Sequence, residues 1–549
     1  MKITLRWQLL LAIMAMALVL SLLSFQVQSS SLCSVEVPAA GGVFAEGIVG
    51  APQYLNPLLS DPNPVDRELV RLLFDGLTRV NPDTGELVPH IGDWTVSEDG
   101  LSVQFTLFEG WTWHDGEPVT AADAVYTYGL MQDEAFPGPA GLKAIWQSVT
   151  ITPIDEMTVL FSLAQPYAPF LEATTRGLLP AHLLEGVTAV NLLTHPFNTS
   201  PVGTGPFVVT PGQNWEVNGR LHLTPAPDAW REGTQLDALA FHFYPNFETL
   251  HQDFVAGEIQ AINQVAPSHL PDIAALTEAR LFTTRESRYT TLLFNTEQPI
   301  AVRQALALAV NREQLVDSTR NGQGILFEGP YLPSSWSYRP DLLTAYMQDL
   351  AAAASLLEAD GWLLADGAAT RQKEGEPLAL RLVTLESHEA LATAVSQQWV
   401  SVGIATEIAL ATNSGELQAM LREEPFDVAL FDVVPANDPD LYDFWSQEAI
   451  VRGQNYAGWN HRRASEALES GRQLWDLGER QPFYETFLRL YDDNIPALTL
   501  YQHVHTYAVR SDVNNVEIGQ ITHPRDRYKT LADWFMLYRN VTIACTAES

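Results

Sequence analysis

Gly110-Trp111-Thr112-Trp113-His114-Asp115-Gly116-Glu117-Pro118-Val119-Thr120-Ala121-Ala122-Asp123-Ala124-Val125 is the stretch of this chain whose reading decides the fold. Trp111 to Gly116 reads as a turn. Thr120 then stands three residues before an acid, Asp123, and just ahead of Ala124, Val125, Tyr128 and Gly129. That spacing approximates a capping box, so a helix is expected to start there. Immediately upstream, Leu101, Val103, Phe105 and Leu107 alternate at period two. Ser97-Glu98-Asp99-Gly100 separates them from Trp94 and Val96, which makes a hairpin. A second turn, Val80-Asn81-Pro82-Asp83-Thr84-Gly85, lies between extended segments.

Working outward, Val43 to Val49 reads as a strand, Pro52, Asn56 and Pro57 mark a loop, and Asp66 to Phe74 reads as a short helix closed by Asp75-Gly76. A turn-rich region, Asn198 to Pro206, leads into the strand Phe207-Val208-Val209 and suits a crossing between lobes. In the second half Val302, Ala305, Leu306, Ala309 and Val310 form one helical face. Asn311, with Gln314 three residues on, restarts a helix. Leu350, Ala353, Ala354 and Leu357 line another helix, stopped by Gly361. Leu378 to Leu382, the helix carrying Leu391, Ala394, Val395 and Val402, and Ile404 to Leu410 make a parallel right-handed crossover unit. Phe426 to Val434 and Pro496 to Tyr501 add extended segments, with a helical stretch from Trp475 to Tyr491 between them.

The ends place the chain outside the cytoplasm. Lys2 and Arg6 precede an apolar run from Trp7 to Phe25, which ends in Val27-Gln28-Ser29-Ser30-Ser31. A basic head, an apolar body and small residues at the exit make an export signal. The run is long for a cleaved signal, so an uncleaved membrane anchor stays open. The chain has two cysteines, Cys33 and Cys545, one near each end. A disulfide between them suits an oxidising compartment. The alternative is a lipid on Cys33, for which Ser30-Ser31-Leu32 is a poor approach.

Sixty-six acidic against 31 basic residues give a formal charge of -35 over 549 residues. Such a surface repels nucleic acid and anionic membranes, so neither is expected as a partner. At 46% hydrophobic and 18% charged the composition is globular, and the length suggests two or three lobes.

Enzyme signatures fail one by one. His388-Glu389-Ala390-Leu391-Ala392 starts like a zinc-protease helix but has alanine where the second histidine is required. There is no Gly-x-Ser-x-Gly elbow and no Cys-x-x-Cys pair. Gly203-Thr204-Gly205 leads into a strand and not a helix, so it is no phosphate cradle. His503 and His505 share one side of a strand without a third metal ligand in view. Carboxylate pairs abound, yet spacing nominates no glycosidase pair. No catalytic residue, metal or cofactor is expected. Trp445 and Trp459 flank the polar stretch Gln447 to Gly458, where aromatic walls would suit an organic ligand.

The ordered segments resemble one family, the peptide- and nickel-type extracellular solute-binding proteins of ABC importers, family 5. The likeness runs from about Gly47 to Tyr501. It is carried by Leu55-Asn56-Pro57-Leu58, Leu73-Phe74-Asp75-Gly76-Leu77, the Gly110 to Val125 stretch and Gly203-Thr204-Gly205-Pro206-Phe207. It continues through Phe294-Asn295-Thr296, Val302-Arg303-Gln304-Ala305-Leu306, Gly361-Trp362, Asn455-Tyr456-x-Gly458-Trp459 and Ile495-Pro496-Ala497-Leu498.

The resemblance implies an α/β, two-lobed periplasmic-binding-protein-like clamshell (type II, large class with an extra subdomain). Its expected division is a signal or anchor (1–31), first lobe (32–76, 200–290 and 495–549), extra subdomain (77–199) and second lobe (291–494). It also implies a monomer that captures a peptide or other small solute by hinge closure and delivers it to ABC permease subunits. By the same analogy the cleft falls among Tyr54, Asn56, Phe431, Asp432, Asp438, Trp445, Tyr456, Trp459 and Tyr501, and the Trp113-His114-Asp115 turn is a folding element. Where peptide-binding relatives place an aspartate for the peptide's amino group, this chain has Pro435, and Asp432 or Asp438 is the nearest substitute. A sugar, an opine or another solute therefore stays open. A secreted glycan-active hydrolase, or a binding lobe for sensing without import, is the alternative.

Overall fold

The computed structural model describes residues 2–28, 32–81, 84–226, 235–519, 521 and 524–544. The apolar N-terminal run forms one helix, Lys2–Gln28. Its window Trp7–Ser24 is buried against none of the described residues, and at a mean hydropathy of 2.1 it is long and apolar enough to cross a membrane. Beyond it, Leu32–Ala39 pairs antiparallel with Leu537–Ala544, so the two ends of the body form one ribbon. The Cys33 side chain and Cys545, the expected disulfide partners, lie outside the described residues.

A ten-stranded mixed sheet runs through both lobes. Its first-lobe half contains Ala261–Ile262, Val43–Val49, Ala238–Tyr244, Arg220–Pro225 and Phe207–Val209 in that order. Its second-lobe half contains Val428–Val433, Ala379–Leu385 and Ala405–Ala411. Ala379–Leu385 lies parallel to Ala405–Ala411, with helix Glu389–Val400 between them, which is the crossover unit read from the apolar periodicity.

Two long strands, Ala279–Phe294 and Ala497–Arg510, pair antiparallel at the centre and carry the chain from lobe to lobe. Their ladder shifts register between Arg285 and Tyr289 and again between Thr290 and Thr291. A bulged ladder is where a strand pair bends. The change of lobe thus falls inside two continuous strands, which is the geometry of a hinge.

The extra subdomain is a four-stranded antiparallel sheet in the order Gly92–Val96, Ser102–Leu107, Thr158–Leu163, Val149–Pro153. Helix Ala121–Gln132 packs on it, with Tyr128 stacked on Trp146 at 4.1 Å. The capping box is present, and Thr120 N–H donates to Asp123 Oδ2 at 2.8 Å. Asp123 does more than cap. Its carboxylate also accepts from Ala181 N–H at 2.8 Å and from Trp113 Nε1 at 3.3 Å, so one buried acid ties helix, turn and loop together.

His505, on the second crossing strand, is 2% exposed. Burial, aided by the Arg527 charge, pushes its pKa down to about 3. The sign follows from linkage. A histidine whose folded pKa lies below its unfolded value near 6.5 contributes stability above pH 6.5 that is lost as pH falls toward 3. At pH 4.5 the loss amounts to about 2–3 kcal/mol. His505→Asn is therefore expected to flatten the decline in unfolding free energy between pH 6.5 and 4, measured by urea titration. A parallel decline in both proteins would count against it.

Candidate binding cleft

A cavity of about 440 Å³ opens between the lobes. Helix Pro64–Leu73 starts one wall, because Asn63 caps it and its Val65, Leu69, Leu72 and Leu73 go into the core while Arg67 and Arg71 border the opening. Arg79 extends that wall from the strand Thr78–Val80, and Tyr167, Glu172 and Arg176 add the subdomain's edge. The facing wall comes from the second lobe, with Asp438, Asp440, Asp443 and Phe444 on the segment after strand Val428–Val433, plus Gln454.

Most of these charges are already answered. Arg176 grips Asp61 bidentately at 2.8 and 2.9 Å, and His90 pairs with Asp75 at 2.9 Å. Across the cavity Asp438 is held by Arg480 at 2.6 Å on both oxygens, and Asp440 by Arg472 at 2.7 Å. Burial pushes Asp440 up to about 6 against the pull of Arg472. Two charged side chains stand apart. Among the described residues, neither Arg79 nor Asp443 makes a side-chain hydrogen bond or ion pair, and both are exposed to the opening.

Of the nine residues expected in the cleft, Asp438 alone borders this cavity. Asn56 is fully buried, bridging Asn198 Oδ1 and Leu58 N–H at 2.9 Å each, and Tyr54 packs beside it against the first-lobe core. Trp445 and Trp459 meet each other and Tyr491 inside a second-lobe core, with Tyr456 at its margin beneath Arg422. The reason is local. The Asn455 side chain ties Ser446 O and both backbone groups of Trp459, folding the polar segment over the two indoles.

Asp432 and Tyr501 fall in a separate cluster beside the crossing strands. Asp432 Oδ1 accepts from Thr290 Oγ1 at 2.6 Å and meets His388 Nε2 at 3.1 Å and His503 Nε2 at 3.2 Å. Burial alone would raise this carboxyl, but the hydrogen bonds from the two histidines hold it well below the usual carboxylate range. Arg320 lies 5.3 Å over the Tyr501 ring, and Phe431 packs against second-lobe apolar groups. Sequence reasoning missed Arg79, Glu172 and Asp443, which belong to no apolar periodicity or named motif and meet only through the fold.

Comparison with known proteins agrees with this architecture. Residues 88–450 match the sequence model of the bacterial extracellular solute-binding proteins, family 5 Middle. The oligopeptide-binding protein AppA of Bacillus subtilis (strain 168) is 23% identical over 545 residues, covering 95% of this chain and 97% of that protein. The dipeptide-binding protein of Escherichia coli (strain K12) is 24% identical, covering 89% of this chain and 95% of that one. Among solved structures, NikA from Brucella suis in complex with Fe(III)-EDTA superposes with a TM-score of 0.77 at 19% identity, covering 88% of this chain and 99% of that one. The two-lobed α/β body joined by paired crossing strands, together with a family match over more than half its length, makes this chain a member of the extracellular solute-binding proteins of family 5.

Proposed function

We propose that the protein is the extracytoplasmic binding subunit of an ABC importer, and that it captures a small zwitterionic solute, a short peptide foremost, for delivery to a membrane permease. The observation that carries this reading is the cavity between the lobes, with Arg79 on one wall and Asp443 on the other, neither making a side-chain hydrogen bond or ion pair among the described residues. Its volume falls within the roughly 300–1,000 Å³ of small-molecule sites. Relatives named for oligopeptide and dipeptide binding support the solute class. Asp432 and Asp438 are engaged by the protein's own histidines and arginine, so Asp443 is the carboxylate left to meet a ligand ammonium and Arg79 the guanidinium left for a carboxylate. Affinity then comes from burial between the lobes, and closure gives a permease a distinct state to recognise. The apolar N-terminal helix supports export.

Native mass spectrometry of the freshly purified protein, followed by calorimetry with di- to tetrapeptide pools, tests the reading. Stoichiometric retention without turnover is expected. Arg79→Ala and Asp443→Asn should each weaken binding roughly tenfold, the equivalent of about 1.4 kcal/mol. Hydrolysis of the bound solute, or unchanged affinity in both variants, would overturn it.

A further inference from the structure

We propose that Glu172 and Arg472 are positioning residues that form a clasp between the extra subdomain and the second lobe, holding the cleft closed through protein–protein contacts. Glu172 is contributed by the subdomain helix Phe170–Ala173. Its Oε1 accepts from Asn437 N–H at 2.9 Å and from Asn437 Nδ2 at 3.0 Å, and its Oε2 accepts from Asp438 N–H at 2.9 Å. Two consecutive backbone amides aimed at one carboxylate make a small anion seat.

That seat is built by the second lobe alone. Arg480 fixes the Asp438 carboxylate at 2.6 Å on both oxygens, and Asp438 Oδ1 in turn accepts from Asp440 N–H at 3.0 Å. Asp440 Oδ1 accepts from Tyr442 N–H at 3.1 Å. The loop is thus set before the subdomain arrives. Burial pushes the Glu172 carboxyl upward, and the amides of Asp438 and Asn437 draw it back.

Arg472 makes the second half of the clasp. Its guanidinium lies between two rings, 4.4 Å from that of Tyr442 in its own lobe and 4.8 Å from that of Tyr167 in the subdomain, while pairing with Asp440 at 2.7 Å. A cation held between two aromatic faces in a partly desolvated site is among the stronger contacts of this kind. Beside it Ala168 N–H donates to Arg472 O at 2.9 Å, and Trp475 Nε1 donates to Gly100 O at 3.3 Å. These bonds join residues about 265 to 375 positions apart in sequence.

The physical consequence is a shifted open–closed equilibrium. Where the binding-competent state is only partly populated, apparent affinity falls by that fraction. The clasp raises the fraction, so solute need not supply the whole closing energy. The inference rests on the closing motion and is independent of which solute is bound.

The test uses the full chain without added solute, so its failure is distinct from failure of the peptide reading. Glu172→Gln replaces one acceptor with a donor facing two amides, and Arg472→Met keeps the stem while removing the cation, at a residue that does not line the cavity. Small-angle scattering should show a larger radius of gyration in both variants. Hydrogen exchange at the Asn437 and Asp438 amides should accelerate at least about tenfold. The melting temperature should hold in Glu172→Gln, which separates opening from general destabilisation, whereas Arg472→Met also leaves the buried Asp440 without its cation and should melt lower. A scattering profile unchanged from the parent protein in Arg472→Met, with or without faster exchange, overturns the clasp.

Discussion

Replacing Arg527 with methionine is expected to cost about 3–5 kcal/mol of stability, because it removes the cation that bridges two buried acids. Arg527 is 0% exposed, on the turn Pro524–Tyr528, and reaches Glu46 on strand Val43–Val49 and Glu68 on helix Pro64–Leu73. Tyr528 and Tyr507 donate to Glu46 Oε2 at 2.7 and 2.5 Å, Asn263 Nδ2 donates to Glu68 Oε2 at 2.6 Å, and the guanidinium lies 4.2 Å over the Tyr528 ring. One side chain therefore docks the C-terminal segment onto strand and helix of the first lobe.

The variant's pH dependence gives the mechanism away. Burial already raises Glu68, and Arg527 is the main influence lowering it. Without that charge the carboxyl rises further, so the folded form binds a proton that the unfolded chain releases near its ordinary pKa of about 4.3. A raised carboxyl stabilises at low pH and loses that contribution as pH climbs through its folded pKa. Arg527→Met should thus recover part of its deficit at pH 5 relative to pH 8, by urea titration. Adding Glu68→Gln should recover some of it at both pH values. A deficit that ignores pH and the second substitution would mean that the loss is one of packing and not of charge.

How much of this was legible in the sequence depended on the range of the interaction that decides each feature. The Thr120–Asp123 box and the Asn311 cap were readable because the bonding partners are three residues apart, and Asn311 Oδ1 does accept from Gln314 N–H at 2.9 Å. The crossover unit was readable because each element carries its own apolar period. The crossing strand Ala279–Phe294 was not. Its run Thr283 to Arg288 is polar, and it is held as strand by pairing with residues more than 200 positions away.

The aromatic walls failed as a guide for a related reason. Trp445 and Trp459 beside a polar segment looked like a lined cleft, but composition cannot say on which side of an indole a loop will fold. Asn455 folds it to the outside. Arg79, Glu172 and Asp443 each sit in unremarkable local sequence, and their meaning is positional. Asp438 was singled out because the Asp-Pro turn gave it a landmark, and the sequence hid its partner, Arg480.

Gly203 shows the same boundary within one motif, and Gly203→Ala is expected to cost about 3 kcal/mol, the upper end of overpacking. The Gly203-Thr204-Gly205 run crosses the end of helix Pro64–Leu73, where Gly205 N–H donates to Leu73 O at 2.8 Å and Asp75 N–H donates to Thr204 Oγ1 at 2.9 Å. His114 of the opening stretch clamps the run from the other side. Its backbone N–H donates to Gly203 O at 2.9 Å, its Nδ1 accepts from Gly203 N–H at 3.0 Å, and its Nε2 lies 2.9 Å from Gly205 O. That pattern requires the proton on Nε2. A methyl group on Gly203 would meet Leu73 O at 1.8 Å, and backbone cannot rotate away as a side chain would. Helix end, loop and turn would have to separate, so near-ultraviolet circular dichroism from Trp113 should change along with stability. Gly129→Ala is the matched control. Gly129 lies in helix Ala121–Gln132 with nothing within 4 Å of its added methyl, so that substitution should stabilise by about 0.5–1 kcal/mol. Equal effects from the two would show that chain entropy, and not the closeness of Leu73, decides the cost at Gly203.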